Sequence, residues 1–466
     1  MTTSKDARER VGLGDAIVMG LSSSGPAQTL AVSLAGLVAA SGYGGPVPIL
    51  ICLIPMLGIA FAYQRLNRWD QSAGATYTWV ARVFNPYLGF LSGWMILLYY
   101  TLGTTTLTIP AGVYTLELIA PSLIDRHWAV FAAGAGWNVL ITLFAVTGLK
   151  LVVRFEWAIV LFQYAVLLAV AAVALHALAH GLTAVHFSWQ WFSLAGMGGV
   201  KGLMGGMLIA CFMYSGWDAA IYVNEETRDR ANNPGRAAIA SVAMLAVIYS
   251  LATLSFQAVL PPDELQAHAG DALSAVSDGL LHGPWGALMA LVVLLGTLAT
   301  LQAAVISAAR MGHAMSRDRV MPAFFGRLRS GGSTPWAATL TMSAVNLVLL
   351  ALALATTTTG VALTNAASSL GLISIVFYGI TAAAALRQRR NLRGASRADL
   401  VLGGLFPLIG VLFSVFVLVG SLATGAVAPA VIAYGLGSIA VGGAVALLLR
   451  FKGAAFFTAR RGLEEL

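Results

Sequence analysis

Two short runs of the sequence hold the polar residues best suited to handling a charged or zwitterionic solute. The first, Ser22-Ser23-Ser24-Gly25-Pro26, lies inside an apolar stretch long enough to cross a bilayer. Proline removes a backbone donor and glycine loosens a helix, so this stretch should break near its centre. The second, Tyr214-Ser215-Gly216-Trp217-Asp218, interrupts another apolar stretch over 202–224. A helix broken at membrane depth leaves amides and carbonyls unpaired, which is tolerated only where they line a cavity or hold a ligand. Ser22, Ser23, Ser24 and Gly25 are therefore candidate ligand-binding residues. Asp218 is the most informative acid, because a lone carboxylate in a membrane span costs roughly 2.5–3.5 kcal/mol. It should face the bundle interior, either as a coupling or gating carboxylate or as a hydrogen-bonding support for the interruption. The reading of GLSSSG as an intramembrane protease site fails, since no span core contains a histidine to complete a nucleophilic set.

The elements that must position these runs follow from composition. Of 466 residues, 58% are hydrophobic and 10% charged, whereas soluble domains carry about 25% charged residues. The chain is therefore expected to be an all-α integral membrane protein. Stretches free of Asp, Glu, Lys and Arg, divided by the length of about 20 residues that a spanning helix needs, give twelve spans. That count places 25 of the 27 Lys and Arg residues on one side and leaves only Arg126 and Lys201 opposite. The positive-inside rule then puts both termini in the cytoplasm. The net charge of +8 is absorbed by this topology, so no nucleic-acid partner is expected; the lipid bilayer is the partner implied. Cys52 and Cys211 both sit in apolar spans, so neither a disulfide nor a metal site is expected. The external loop 177–200 and its approach hold three histidines without ligand spacing, which read as interfacial residues. No phosphate-binding loop of the Walker type is present, and no cofactor is expected.

The two interruptions fall in spans one and six. These positions are equivalent if the chain consists of two five-span halves and two added spans, and matched interruptions point to an inverted-repeat transporter. The expected divisions are a tail (1–14), a first repeat (15–176), an external loop (177–200), a second repeat (201–387), a cytoplasmic loop (388–399), spans eleven and twelve (400–450), and a second tail (451–466). Tyr99, Tyr100 and Asn365 are possible pocket walls. Glu156 is expected at the mouth of span five with Gln163 deeper, and Glu225 and Glu226 are expected to pair with arginines at an inner gate.

Several motifs resemble a known family. Phe212 to Asp218, with Glu225-Glu226-Thr227 and Asn233-Pro234-Gly235-Arg236, resembles the sixth-span signature of amino acid–polyamine–organocation permeases. Ser307 to Asp318 with Pro322 resembles the end of their eighth span, and Ser72 to Tyr77 with Phe84-Asn85-Pro86 resembles the loop into their third. The resemblance implies a five-plus-five inverted repeat (LeuT-type) with helices 1 and 6 unwound at the substrate. It implies that a substrate carboxylate meets amides around Ser23, Ser24 and Gly25. The ammonium would meet carbonyls around Phe212, Tyr214, Ser215 and Gly216, with Trp217 as an aromatic gate. Half-helix termini and unwound carbonyls suit those charges. Gln163 stands where some proton-coupled members carry lysine, and Ser23-Ser24-Gly25-Pro26 departs from the usual first-span wording.

The expected function is secondary active transport of a zwitterionic amino acid or related amine by alternating access, through proton coupling or exchange. Alternatives are a polyamine or monoamine carrier, which would want more acids at depth, a transporter-like sensor, for which the tails of about 14 and 16 residues are short, and an ion channel. Enzyme activity is not expected. The coupling ion and the oligomeric state stay open.

Overall fold

The computed structural model of the chain describes residues 11–458 except 73, 148, 269–271, 282–284, 330–333, 357–358 and 390–396. Most of the two tails and of the cytoplasmic loop expected at 388–399 therefore lies outside the described residues, as do the side chains of Lys150 and Arg154. The described chain is helical, with one isolated bridge between Val11 and Thr227.

In chain order the helices are α1 (Leu13–Ser24), α2 (Pro26–Ser41), α3 (Pro46–Trp69), α4 (Ala75–Val83), α5 (Pro86–Ile119), α6 (His127–Thr147) and α7 (Leu149–Ala179). They continue as α8 (Gly199–Met213), α9 (Ala219–Tyr222), α10 (Asn233–Val259), α11 (Pro262–Ala267), α12 (Ala272–Leu281), α13 (Trp285–Arg317), α14 (Trp336–Thr356) and α15 (Thr359–Arg389). The last two long helices are α16 (Phe406–Ala423), entered through a π-helical turn, and α17 (Pro429–Phe451). Proline occupies a first-turn position in α2, α3, α5, α10 and α17, where its missing N–H would have had no helical partner. Asn85 adds a side-chain cap to α5, accepting from Leu88 N–H at 2.9 Å.

Among the described residues, ten helices are long and apolar enough to cross a membrane. Neither α1/α2 nor α8/α9 contains a single helix of that length, because each is interrupted. The pieces have 12, 16, 15 and 4 residues.

Burial orders the layers. The most apolar windows of α5 and α13 are each 83% buried, against 22% for α17. Helices α5 and α13 pack on each other more extensively than any other pair and form the centre. The interrupted segments lie against them: α1 on α10, α7 and α13, and α2 on α8. The segment between α3 and α5 forms α4, a buried element whose Tyr77, Trp79 and Val80 are almost wholly covered.

Candidate functional site

Gly25 joins α1 to α2 in the left-handed conformation, φ 50° and ψ 68°. Glycine reaches that region without a Cβ penalty. Its N–H bonds Leu21 O at 2.9 Å, which closes α1, and Pro26 opens α2. The interruption is one residue wide, so the amides of Ser23, Ser24 and Gly25 keep helical partners. The released donors lie one step further on, in the first turn of α2. There the Ala27 N–H donates to Gln163 Oε1 at 3.4 Å. The reason is the cap: a left-handed residue lets α1 keep its last backbone bond, and the vacated donors pass to the next helix.

The side chains around the break supply the remaining polarity. The Ser24 hydroxyl donates to Gly20 O at 2.9 Å, and the Thr29 hydroxyl to Ser24 O at 2.7 Å. The Thr300 hydroxyl on α13 sits under the break, 2.7 Å from Ser22 O and 2.8 Å from Gly296 O. The hydroxyls of Ser22 and Ser23 and the Gln28 amide nitrogen are buried with no partner. Buried polar groups are usually bonded, and unpartnered ones beside a cavity are handles for a polar guest.

The second interruption follows Met213, where α8 ends. Gly216 has φ 100°, and a Cβ there would stand 2.7 Å from Ser23 O. The two interruptions thus touch. Beside their contact is a cavity of about 30 Å³. Ser23, Ser24, Gln28 and Thr29 line one side, and Phe212 and Ser215 line the other. Helix α5 adds Tyr99, Tyr100, Gly103 and Thr106, α13 adds Thr300 and Ala304, and α15 adds Leu370.

Asp218 lies behind this cavity and is fully buried. Its Oδ1 accepts from Tyr378 at 3.0 Å and Tyr100 at 3.3 Å, and its Oδ2 from Tyr222 at 2.8 Å. Tyr378 also accepts the Gly216 N–H at 3.4 Å. Three hydroxyl donors give a carboxylate the partners that burial otherwise denies it.

Not every residue proposed from sequence reaches the cavity: Ser22, Gly25 and Gly216 flank it without lining it. Trp217, expected as the aromatic gate, is fully buried behind it, stacked on Tyr378 with ring centroids 5.3 Å apart. The turn at Gly216 aims the next side chain toward α3 and α15. Tyr214 turns to α3, donating to Ile49 O at 3.1 Å. Asn365 is half-buried on α15 and outside the lining, which that helix enters through Leu370 instead. Gln163 sits behind α2, with its oxygen on Ala27. Conversely, Gln28, Thr29, Thr300 and Tyr378 are site residues that sequence reasoning missed. Thr300 and Tyr378 are hydroxyls with apolar neighbours and Gln28-Thr29 is a polar pair just past the Gly25-Pro26 break, and only the helix face each occupies marks it out.

At the far end of α9 lies a closed cluster. Val11 N–H bonds Glu226 O at 3.0 Å and Arg228 N–H bonds Val11 O at 2.8 Å, tying the approach to α1 to the segment after α9. Arg310 on α13 meets Glu226 at 2.7 Å in a partly covered ion pair, while Arg317 lies a looser 3.8 Å from Glu225. Exposed pairs contribute only about 0–1 kcal/mol. Loss of the covered pair in Arg310→Ala should therefore loosen this end without unfolding the protein. The expected reading is faster maleimide labelling of a cysteine placed at Ser23, by several-fold. An unchanged labelling rate would show that the pair does not guard the cavity.

The Amino acid permease family profile matches residues 13–445. The chain belongs to the amino acid permease family. Its resemblance to known permeases holds over most of its length. It is 26% identical to the low-affinity putrescine importer PlaP of Escherichia coli K12 over 354 residues, 74% of this chain and 75% of that one. It is 25% identical to the human large neutral amino acids transporter small subunit 2 over 370 residues, 78% of this chain and 66% of that one. It is 25% identical to a methylthioribose transporter of Bacillus subtilis over 321 residues, 65% of this chain and 66% of that one. Among solved structures, the manganese transporter of Eremococcus coleocola superposes with a TM-score of 0.59, covering 98% of this chain and 97% of that one. At 16% identity that likeness establishes the fold alone. This amino acid permease is a multi-pass membrane transporter of amino acids or amines, and not an enzyme.

Proposed function

We propose that this permease carries a small, neutral, zwitterionic amino acid across the cytoplasmic membrane by alternating access. Counting α1/α2 and α8/α9 as one interrupted span each gives twelve spans in two five-span repeats plus two. Both termini are cytoplasmic in this reading, which the 25-to-2 division of cationic residues supports. The substrate carboxylate is held by the Ser23 and Ser24 hydroxyls and the first amides of α2. The ammonium is held by the carbonyls before Gly216. Asp218 supports the second interruption, and Glu225 and Glu226 close the cytoplasmic end.

One observation carries this reading. The two interruptions meet beside a cavity lined by hydroxyls, one amide side chain, aromatic rings and the aliphatic Leu107, Ala304 and Leu370, with no charged side chain among the described lining. A polyamine carrier, the second reading, is favoured by the likeness to a putrescine importer. A polycation needs carboxylates in the pocket, however, and Asp218 is already engaged by three tyrosines.

The test is counterflow in proteoliposomes preloaded with unlabelled substrate, using labelled alanine, leucine and putrescine. Exchange of an amino acid without exchange of putrescine is expected. Putrescine exchange alone would select the second reading, and exchange of no probe would overturn both. The cavity is far smaller than ordinary ligand pockets of about 300–1,000 Å³, so Phe212 has to swing aside for a large side chain. Phe212→Ala should lower the preference for alanine over leucine roughly tenfold, since a methylene group in an apolar pocket is worth about 1–3 kcal/mol. Competition counterflow measures that ratio, and an unchanged ratio would remove Phe212 from the side-chain pocket.

A further inference from the structure

Glu156 is a buried acid that the transport site above does not use. It lies at the start of the apolar span Phe155–Ala179 of α7. Its side chain is 1% exposed, while Phe155 and Trp157 on either side are 59% and 37% exposed. The carboxyl therefore faces the bundle interior. Among the described residues, neither of its oxygens has a hydrogen-bond partner.

Helix α7 packs against α1, α2, α6, α10, α12 and α13. The charged and titratable groups these helices present are engaged elsewhere. On α1, Asp15 accepts from Trp157 Nε1 at 2.8 Å. On α10, Arg236 is exposed and Tyr249 points to Ser24 O. On α12, Asp278 holds the Gly286 amide. On α13, Arg310 and Arg317 face Glu226 and Glu225, and His313 lies in the same cluster. Helix α2 carries no charged residue, and α6 only His127 at its opposite end. On α7 itself, Tyr164 lies two turns on and His176 at the far end, while the side chains of Lys150 and Arg154, before Glu156, lie outside the described residues.

The two buried acids thus have opposite surroundings. Asp218 takes hydroxyl hydrogen bonds on both oxygens, which suits a carboxylate. Glu156 has no donor among the described residues, and a buried charge without one is costly. Its position is also mechanical. Trp157 binds Asp15 and packs against Gly14 in the first turn of α1. Seven residues on, about 10 Å along the helix, Gln163 holds the first amide of α2. Glu156 lies directly beside the first of the two grips that α7 has on the first interrupted segment.

We propose that Glu156 is the proton-carrying site of this permease. It is protonated while α7 is docked on α1. When the cytoplasmic end of α1 parts from α7, water reaches the carboxyl, its O–H bond breaks, the proton passes to water and the carboxylate is hydrated. The charged acid then opposes redocking until it is protonated again. The inference rests on the proposed amino acid transport and on its cytoplasmic orientation.

The experiment uses the full-length protein in proteoliposomes with labelled alanine, leucine and putrescine. Three readouts are taken: counterflow at equal pH, uptake driven by an acid exterior, and the infrared C=O band of a protonated carboxyl. In Glu156→Gln, counterflow should persist, stimulation by the pH gradient should fall at least about tenfold, as expected when a coupling of 1–3 kcal/mol is lost, and the band should weaken. Intact gradient stimulation in this variant would overturn the proposal. So would wild-type counterflow that no pH gradient stimulates. If Glu156→Gln does not fold, the wild type still decides, because absence of any protonated-carboxyl band at neutral pH overturns the proposal. Failure of the wild type to exchange any probe would instead overturn the proposed function.

Discussion

Gly25→Leu should lose substrate binding altogether, with counterflow reduced by two orders of magnitude or more. Two independent costs converge on this position. The backbone there is left-handed, which costs any L-residue with a Cβ roughly 1–2 kcal/mol. A Cβ would also stand 2.0 Å from Thr300 Oγ1 and 3.1 Å from Thr300 Cβ. Overpacking of this kind costs about 1–3 kcal/mol where the neighbours can shift. Here the neighbour is a β-branched residue whose hydroxyl is bonded to Ser22 O and Gly296 O, so it cannot swing away freely. The strain falls on the segment carrying the unpartnered Ser22 and Ser23 hydroxyls. Gly25→Ala combined with Thr300→Ala should recover part of the binding, because it removes the 2.0 Å clash with the hydroxyl but neither the 3.1 Å approach of the two Cβ atoms nor the backbone cost. Isothermal titration with alanine measures both variants. Wild-type affinity in Gly25→Leu would rule out a substrate site at this break.

Asp218→Asn should cripple transport without abolishing it, while leaving enough folded protein to purify. The carboxylate gives acceptor oxygens to Tyr100, Tyr222 and Tyr378. Asparagine offers one carbonyl oxygen and an NH2 group, so at least one buried hydroxyl faces a donor instead of an acceptor. A buried group left unsatisfied costs about 1–3 kcal/mol. Because Tyr378 also receives the Gly216 N–H, the loss is felt at the turn that packs on Ser23. Counterflow should drop about a hundredfold, in line with roughly 2.7 kcal/mol of lost support, and thermal unfolding should shift down. The pH dependence of the remaining activity should not change, since coupling is assigned to Glu156. Loss of pH dependence in Asp218→Asn would return the coupling role to Asp218.

The two variants separate position from chemistry. One deforms the break itself; the other removes a brace behind the facing break. Their effects should be less than additive if both act through the Gly216–Ser23 contact, as expected for neighbours sharing one structural element.

Much of this protein was legible in its residues alone. Charge-free runs of spanning length dictate helices, because no other backbone arrangement within one segment satisfies its polar groups in lipid. The Gly25-Pro26 pair dictates an interruption, because one residue accepts the left-handed conformation and the next lacks a donor. Tertiary structure alone decided which groups that interruption releases. The amides around Ser23 to Gly25 look free in sequence, yet the Gly25 cap keeps them paired and passes the vacancy to Ala27 and Gln28. Trp217 is the gate that the family resemblance implies, yet the φ of 100° at Gly216 turns it behind the cavity. Thr300 and Tyr378 carried no signal, since a single hydroxyl in an apolar run has no period that says which way it faces. Asp218 and Glu156 are equally isolated acids in sequence. Only the fold surrounds the first with three tyrosines and the second with none, because residues up to 160 positions apart converge on Asp218.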